Sequence, residues 1–188
     1  MQNKTLGVIL ASGFSKRMGQ NKLLLHFKNM PISEYVIKAC KNSNLSNTII
    51  ISRFDEIQEI ARKYQITYIS NEKAYLGQSE SIKIAVNNAI EYDAIMFLSA
   101  DTPLITSQVI NKMLSTYNGE ILSLKYQDKL TNPVIFPKRY FEDLSKLEGD
   151  IGGKSIILAN KFDALDIDFY NKDIDTQEDF YELGEVYG

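Results

Sequence analysis

The sequence is poor in residues and runs that several protein classes require. It has a single cysteine, Cys40, in 188 residues. An internal disulfide is therefore excluded, and a reducing cytoplasm is the expected setting. No apolar run approaches the roughly 20 residues that span a bilayer, and the N-terminus lacks the long apolar stretch of a signal peptide. We predict a cytoplasmic protein that does not enter a membrane.

Positive charge and histidine are also scarce. Lysine and arginine number 21 against 24 aspartates and glutamates, which gives a formal net charge of -3. This balance argues against a general nucleic-acid or anionic-membrane surface, and leaves room only for a local basic patch. The only histidine, His26, is expected to be structural. Cys40 has apolar neighbours at helical spacing, which predicts an inert thiol in the core.

The chain does contain a regular alternation of short Ile- and Val-rich runs with longer segments of helical period. Strands are predicted at 5–10, 47–52, 66–70, 93–99, 119–126, 132–137 and 161–167, and helices at 31–42, 55–64, 79–92, 106–117, 138–147, 152–160 and 176–183. This order predicts one α/β domain over 1–188, with a mostly parallel sheet covered on both faces. After Lys129 the alternation is less regular, which leaves room for an antiparallel pair. Such sheets bind ligands at the carboxyl ends of their strands.

The first strand runs into a glycine-rich, cationic turn, "GVILASGFSKRMGQNKLLL" (7–25). Gly13 and Gly19 allow the backbone to turn sharply and to approach a ligand. Backbone N–H groups in such a turn can receive phosphate oxygens, while Arg17 and Lys22 neutralise their charge. The spacings of a P-loop and of a G-x-G-x-x-G fingerprint are absent. From these residues alone, a polyphosphate site and a solvated turn both stay open.

Two acidic segments are candidates for a metal site. In "IMFLSADTPLI", Asp101 directly follows an apolar strand that Pro103 terminates, so its carboxylate is expected at the edge of the sheet. A carboxylate there suits Mg²⁺ beside phosphates, and the alternative is an Asx-type turn. In "DFYNKDIDTQEDF", Asp173 and Asp175 precede Thr176 at a helix start. Acids in that position commonly cap the helix, and a second metal ligand is the other interpretation.

Considered together, these segments resemble the MobA-like nucleotidyltransferases. "LASGFSKRMGQNKLLL" is similar to their L-A-[AG]-G-x-S-x-R-M-G-x-x-K-x-L-L motif, "LSADTPLI" to their L-x-A-D-x-P turn and "DIDTQED" to their D-[IV]-[DN]-T-P-E-D ending. "SNEKAYLGQSESI" resembles N-P-x-[WY]-x-x-G-x-S-x-S. "TNPVIFPKRYFEDLSKLEGDIGGKSII" follows a pattern of the branch that contains molybdenum cofactor cytidylyltransferases and accessory proteins of molybdenum hydroxylases. The resemblance extends from Gly7 to Leu183.

The resemblance implies a Rossmann-like three-layer α/β/α fold and a Mg²⁺-dependent enzyme. That enzyme would transfer CMP from CTP to the terminal phosphate of molybdopterin, with a molybdenum hydroxylase as a client. Arg17 would hold the triphosphate, Lys22 would stabilise charge at the α-phosphate, and Asp101 would complete the catalytic set. The residues that the resemblance implies for the nucleotide are Leu10, Ala11, Ser12, Gly13, Asn71, Gly77 and Ser81. The metal would be held by Asp101 together with Asp173, in preference to Asp175. The pterin would be contacted by Asn132, Gly149 and Asp150.

Some positions depart from the family pattern. In this chain, Glu72 and Gln177 each stand where the family pattern has proline, and Glu80 stands where a serine is common. Thr131 replaces a glycine, and Gly153 and Lys154 replace an Ala-Arg pair. Lys154 cannot reproduce the bidentate fork of an arginine. Ser12 stands where the resemblance associates alanine with CTP and glycine with GTP. Its Cβ should crowd a purine more than a pyrimidine, which favours CTP.

Two other functions stay open at this point. A sugar- or isoprenoid-phosphate nucleotidyltransferase would share the glycine-rich site but have a different acceptor pocket, and the "EGDIGGK" stretch argues against it. A non-catalytic chaperone would hand cofactor to a molybdenum hydroxylase without consuming nucleotide. The presence of Arg17, Lys22 and Asp101 favours the enzyme over the chaperone.

Overall fold

The computed structural model describes residues 3–15, 18–169 and 173–187. Its strands are Thr5–Ala11 (β1), His26–Phe27 (β2), Met30–Pro31 (β3), Asn47–Ser52 (β4), Thr67–Ser70 (β5), Ala94–Ser99 (β6), Ile121–Tyr126 (β7), Lys129–Pro137 (β8) and Phe162–Asp166 (β9). Its α-helices are Ile32–Lys41 (α1), Asp55–Lys63 (α2), Gln78–Asn87 (α3), Ser107–Thr116 (α4), Phe141–Ser145 (α5), Lys154–Ala159 (α6) and Gln177–Tyr187 (α7). Short 3-10 turns lie at Lys22–Leu24, Ala74–Leu76 and Lys138–Tyr140. Among the residues that the structure describes, no helix is both long and apolar enough to span a membrane.

A seven-stranded sheet in the order β5-β4-β1-β6-β8-β7-β9 forms the centre of the molecule. β1 pairs in parallel with β4 on one side and with β6 on the other, and β5 extends the β4 side. The sheet therefore has its topological switch point at β1. β8 runs antiparallel to both β6 and β7, and β9 is parallel to β7. The mostly parallel sheet is confirmed, and β8 supplies the antiparallel pairing after Lys129.

Two hydrophobic cores lie on opposite faces of the sheet. Along β1, Leu6 and Val8 belong to one core, whereas Ile9 and Ala11 belong to the other. This division follows from the alternation of side chains along a strand. Helices α1, α2 and α4 cover the face of Ile9, and α3, α5 and α6 cover the face of Val8. The three-layer α/β/α architecture is therefore confirmed.

The helix predicted over 79–92 ends earlier, at Asn87. The side-chain amide of Asn88 donates to the carbonyl oxygen of Ile84 at 2.8 Å, and the Asn88 backbone N–H donates to the same oxygen at 3.2 Å, which closes the last turn. The segment 138–147 is a 3-10 turn followed by the five-residue α5, and not one helix. The two-residue strands β2 and β3 are too short for a periodic pattern to reveal.

Two local predictions on the α1 and α4 side are confirmed. The Thr106 hydroxyl caps α4 by accepting the backbone N–H of Val109 at 3.4 Å. Cys40, a residue of α1, is buried in the core, and burial raises the pKa of its thiol far above the ordinary value. The thiol is therefore protonated and unreactive.

The segment before α7 is fixed close to the end of β6. A small core joins Phe27, Ile32, Ile174 and Leu183. Thr176 and Asp179 cap the helix reciprocally: the Asp179 N–H donates to the Thr176 hydroxyl at 3.1 Å, and the Asp179 carboxylate accepts the Thr176 N–H at 2.8 Å. This packing brings the acidic residues before α7 to the edge of the sheet.

Candidate nucleotide-binding site

A cavity of about 380 Å³ lies at the carboxyl ends of β1 and β6. This is the switch point of the sheet, the place where open α/β folds bind their ligands. The cavity lies among the loop after β1, the turn at Lys22–Leu24, the start of α3 and the segment before α7. The predicted site residues that line it are Leu10, Ala11, Ser12, Gly13, Lys22, Gly77, Ser81, Asp101, Asp150 and Asp175.

Lys22 lies between two carboxylates in this cavity. Its Nζ is 2.5 Å from Asp101 Oδ2 and 2.8 Å from Asp175 Oδ1. Burial disfavours the ammonium, but the two carboxylates outweigh burial and raise the pKa of Lys22 above its ordinary value. Only 8% of Lys22 is exposed. The interpretation of the turn as merely solvated is therefore wrong for this residue.

Local sequence anchors the backbone that carries Lys22. The Asn21 side chain caps the 3-10 turn by accepting the Leu23 N–H at 3.1 Å. The Lys22 N–H donates to the Ser15 hydroxyl at 3.3 Å, which ties the turn to the loop after β1. Leu23 is buried in the core. The lysine side chain thus starts from a fixed position.

Asp101 is held by side chains at the end of β6. The Ser99 hydroxyl donates to Asp101 Oδ1, while Oδ2 faces Lys22. The Thr102 hydroxyl donates to the Ser99 carbonyl at 2.9 Å and closes the turn. Because both carboxylate oxygens are engaged by side chains at a cavity, the ligand-site interpretation is favoured over a simple Asx turn.

Asp175 and Asp173 bring further negative charge from the segment before α7. Asp175 reaches Lys22 across 153 positions of the chain. Desolvation and the charges of Asp101 and Asp175 raise the pKa of Asp173 to about 7. Asp173 is exposed to solvent, so we attribute the rise of its pKa more to the neighbouring carboxylates than to burial. Among the described residues of the site, the carboxylates therefore outnumber the Lys22 ammonium.

This donor set fits a divalent cation, since carboxylate oxygens are the ligands that Mg²⁺ prefers. Asp101 and Asp175 already share one cation, the Lys22 ammonium. Across 3–15, 18–169 and 173–187, no three His, Cys, Asp or Glu residues are grouped closely enough to hold a metal ion. A metal held between Asp101 and Asp175 would therefore require the Lys22 ammonium to move aside.

The loop after β1 offers backbone and small side chains to the cavity. The Ser12 hydroxyl donates to the Ile51 carbonyl at 3.2 Å. Among the described residues beyond its two chain neighbours, none lies within 4 Å of a methyl group built on Gly13, so the backbone there is open toward them. Arg17, proposed for the triphosphate, lies outside the described residues.

Asn71 does not line this cavity. It is buried, and its amide donates to the Ser81 hydroxyl at 2.9 Å. Asn71 lines a neighbouring cavity of about 360 Å³ together with Phe14 and Arg53, whose guanidinium lies 4.1 Å from the Phe14 ring centroid. The structure therefore brings Asn71 and Ser81 together, and their contact with a base stays a prediction.

A second cavity of about 180 Å³ adjoins the first. Among the three residues proposed for the pterin, only Asn132 lines it, whereas Asp150 lines the first cavity. Gly149 lines neither, and its carbonyl accepts the Ser79 N–H at 3.0 Å. Most of the wall is apolar, formed by Leu10, Ile82, Phe97, Leu130, Val134, Phe136, Leu144 and Ile157.

Several lining residues escaped the sequence analysis, namely Phe14, Ser15, Leu23, Ala74, Gln78 and Ser99. Ser99 carries a usable signal, because a hydroxyl two positions before a strand-end aspartate can reach its carboxylate. The others belong to loops or helix starts where single residues of these types are common.

The fold and the family match define a nucleotidyltransferase. Residues 7–164 match the family model described as the MobA-like NTP transferase domain. The chain belongs to this family.

Comparisons with known proteins agree with that assignment. The chain is 26% identical to the purine catabolism protein PucB of Bacillus subtilis, over 93% of each protein. It is 24% identical to the "Probable molybdenum cofactor guanylyltransferase" of Bacillus mycoides, over 63% of this chain and 59% of that protein. The crystal structure of Rv0371C in complex with manganese, from Mycobacterium tuberculosis, superposes with a TM-score of 0.82 at 19% identity, over 97% of this chain and 98% of that chain.

Proposed function

We propose that this protein is a molybdenum cofactor cytidylyltransferase. It would transfer CMP from CTP to the terminal phosphate of molybdopterin and release pyrophosphate. The observation that carries the proposal is the buried Lys22 between Asp101 and Asp175, in a cavity at the switch point of the sheet. This arrangement supplies a positive charge for a phosphate and carboxylates for a cation.

The reaction needs positioning and charge neutralisation more than a general base. An oxygen of the acceptor phosphate forms a bond to the α-phosphorus while the bond from that phosphorus to the pyrophosphate oxygen breaks. A phosphate monoester is largely ionised near neutral pH, so no side chain has to remove a proton. Lys22 stabilises the charge that develops on the α-phosphate, and Arg17 holds the triphosphate.

Asp101, with Asp173 or Asp175, would hold the divalent cation. A bound Mg²⁺ neutralises phosphate charge and thereby favours displacement at phosphorus. The surplus of carboxylates around Lys22 supports this assignment, and the related structure that contains manganese is compatible with it. Mg²⁺ itself is part of the proposal.

The second cavity supports an acceptor that carries both apolar and polar groups. Eight of its 15 lining residues are apolar, which favours a ring system with apolar faces over a sugar, whose buried hydroxyls each need a polar partner. Asn132 and Lys154 are among its polar residues and can meet ring nitrogens and an anionic tail. These features favour molybdopterin over a sugar phosphate, and a panel of phosphorylated acceptors that includes isoprenoid phosphates separates the candidates.

The choice of CTP depends on Ser12, which lines the nucleotide cavity. Its Cβ adds bulk that a pyrimidine tolerates better than a purine. The decisive experiment incubates the protein with Mg²⁺, molybdopterin and either CTP or GTP, and follows pyrophosphate release and the product mass. We expect the CMP adduct. A clear preference for GTP would overturn the choice of base, and no transfer from either nucleotide would overturn the function.

The rival of a different class is a chaperone that delivers cofactor without chemistry. Asp101→Ala separates the two, because this change removes a proposed metal ligand from the site. We expect the variant to lose nucleotide consumption and cofactor maturation together. Equal delivery to a molybdenum hydroxylase by variant and wild type, without nucleotide consumption, would favour the chaperone.

A further inference from the structure

Gln78 borders both cavities. Among the described residues, only Gln78 and Leu10 line the nucleotide cavity and the second cavity alike. Leu10 has an aliphatic side chain, so Gln78 supplies the polar side chain at this junction. A group that joins a nucleotide in the first cavity to an acceptor in the second must pass this point.

The backbone of Gln78 is fixed on both sides. Gly77 precedes it with φ of 114°, in the left-handed region, and a methyl group at Gly77 would collide with the backbone of Gly149. Ser79 follows it and donates its N–H to the Gly149 carbonyl at 3.0 Å. The loop around Gly149 is thereby clamped to the start of α3.

The side chain of Gln78, in contrast, is available to a ligand. It is exposed, and its amide takes part in none of the hydrogen bonds found among 3–15, 18–169 and 173–187. It extends across Gly152, where a Cβ would lie 2.8 Å from Gln78 Oε1 and 3.9 Å from Nε2. The lack of a side chain at Gly152 leaves room for the amide in this position.

We propose that Gln78 orients the acceptor at the junction of the two cavities. Its amide N–H groups donate to the phosphate oxygens of the acceptor, and this holds the attacking oxygen toward the α-phosphate in the nucleotide cavity. A neutral amide suits this place, because it can donate to an anion without adding charge to a junction between two phosphates. The role rests on the proposed function, in which a phosphorylated acceptor meets a nucleoside triphosphate.

The test uses Gln78→Ala and Gln78→Glu in the full chain, with Gln108→Ala as the control. Gln108 is also an exposed glutamine near the start of a helix, but it lies on α4, which covers the other face of the sheet. We expect Gln78→Ala to raise the KM of the acceptor about tenfold, through loss of a hydrogen bond to a charged group. Gln78→Glu should lose about 100-fold in kcat/KM for the acceptor, because a carboxylate repels the phosphate. Nucleotide affinity, measured by calorimetry without acceptor, should stay unchanged in Gln78→Ala.

A second variant tests the same contact from the opposite side. Gly152→Ala places a methyl group against Gln78 Oε1 and must displace the amide. Gly152→Ala should raise the KM of the acceptor when Gln78 is present. In the double variant with Gln78→Ala, it should raise that KM little further. Independent, additive effects of the two changes would overturn the orienting role.

The remaining outcomes separate this role from the function on which it rests. If the wild type is active and Gln78→Ala behaves like Gln108→Ala, the role of Gln78 is overturned and the proposed function stands. A fall in nucleotide affinity equal to the fall in acceptor affinity also overturns it. If the wild type transfers CMP to no phosphorylated acceptor, the proposed function is wrong, and the role of Gln78 is overturned with it.

Discussion

Lys22 and Lys63 each contact a buried carboxylate, but their surroundings differ. Lys63 Nζ lies 2.6 Å from Glu34 Oε1, and the Tyr64 hydroxyl donates to the same oxygen at 2.8 Å. The Lys63 side chain is 65% exposed, whereas that of Lys22 is 10% exposed. Lys22 faces Asp101 and Asp175. Asp173 lies close enough to these two carboxylates for their charges to raise the pKa of Asp173.

The difference between the two contacts is one of charge balance and of space. At Glu34 one positive and one negative charge cancel, a hydroxyl supplies a further donor, and none of these residues lines the three cavities described above. Among the described residues at Lys22, the carboxylates outnumber the ammonium, and they lie beside a cavity of about 380 Å³. A satisfied ion pair stabilises the fold, and an unbalanced cluster beside open space can bind a ligand.

The largest expected effect is on activity in Lys22→Ala. Removal of the charge that stabilises the α-phosphate should lower kcat about 1,000-fold. The melting temperature should also fall, because two partly buried carboxylates would face each other without a cation. Rapid-quench measurement of the chemical step, with circular dichroism of the same sample, checks both. Lys63→Ala is the control and should keep its kcat, and an equal loss of kcat in both variants would contradict the different roles of Lys22 and Lys63.

Lys22→Ala should have the opposite effect on metal binding in the absence of nucleotide. The ammonium occupies the position between Asp101 and Asp175, so a divalent cation has to displace it. Without Lys22 we expect Mn²⁺ to bind about tenfold more tightly, since one competing positive charge is gone. Titration calorimetry with Mn²⁺ alone measures this. Weaker binding in the variant would mean that lysine and metal occupy separate places.

The sequence predicts part of this site from local signals and part from resemblance only. Asp101 is predictable because an apolar strand ends directly before it and Pro103 follows. The contact of Lys22 with Asp175 spans 153 positions, and no periodicity encodes it. The resemblance favours Asp173 over Asp175 as the metal ligand, yet Asp175 makes the contact with Lys22. The relative ranking as metal ligands stays a prediction.

The cavities were harder to predict than the fold. Alternating strands and helices are set by hydrophobic periodicity, which is local, and the three layers follow from it. The division of Asn132, Gly149 and Asp150 among different places depends on how the loop around Gly149 is clamped to α3. Gln78 gave no signal, because one glutamine after a glycine is ordinary in sequence and acquires meaning only at the junction.

A smaller effect is expected from the surplus charge at Asp173. Its folded pKa of about 7 lies above the unfolded value of about 4. Between these values the folded state holds a proton that the unfolded state has lost, so stability falls as pH rises through this range. Because Asp173 is exposed, solvent screens most of this effect, and Asp173→Asn should melt about 3 °C higher than the wild type at alkaline pH and equally at about pH 4. A lower melting temperature in the variant at alkaline pH would contradict the charge surplus.

The smallest effect is expected at the ion pair of Glu34 and Lys63, where Glu34→Gln should change stability but not activity. Burial opposes the charge on Glu34, but the hydrogen bonds from Lys63 and Tyr64 outweigh it and lower the pKa of the carboxyl below its ordinary value. The contact therefore stabilises the protein above the unfolded pKa, and the contribution is lost as pH falls through the folded pKa. We expect the variant to melt about 3 °C lower at neutral pH.

That difference should shrink below about pH 4, whereas kcat should equal that of the wild type throughout. Thermal melts and transfer assays across the same buffers measure both quantities on one preparation. A loss of kcat in Glu34→Gln with an unchanged melting temperature would contradict the division between the two lysines, because it would give the balanced pair the functional role assigned here to the unbalanced cluster.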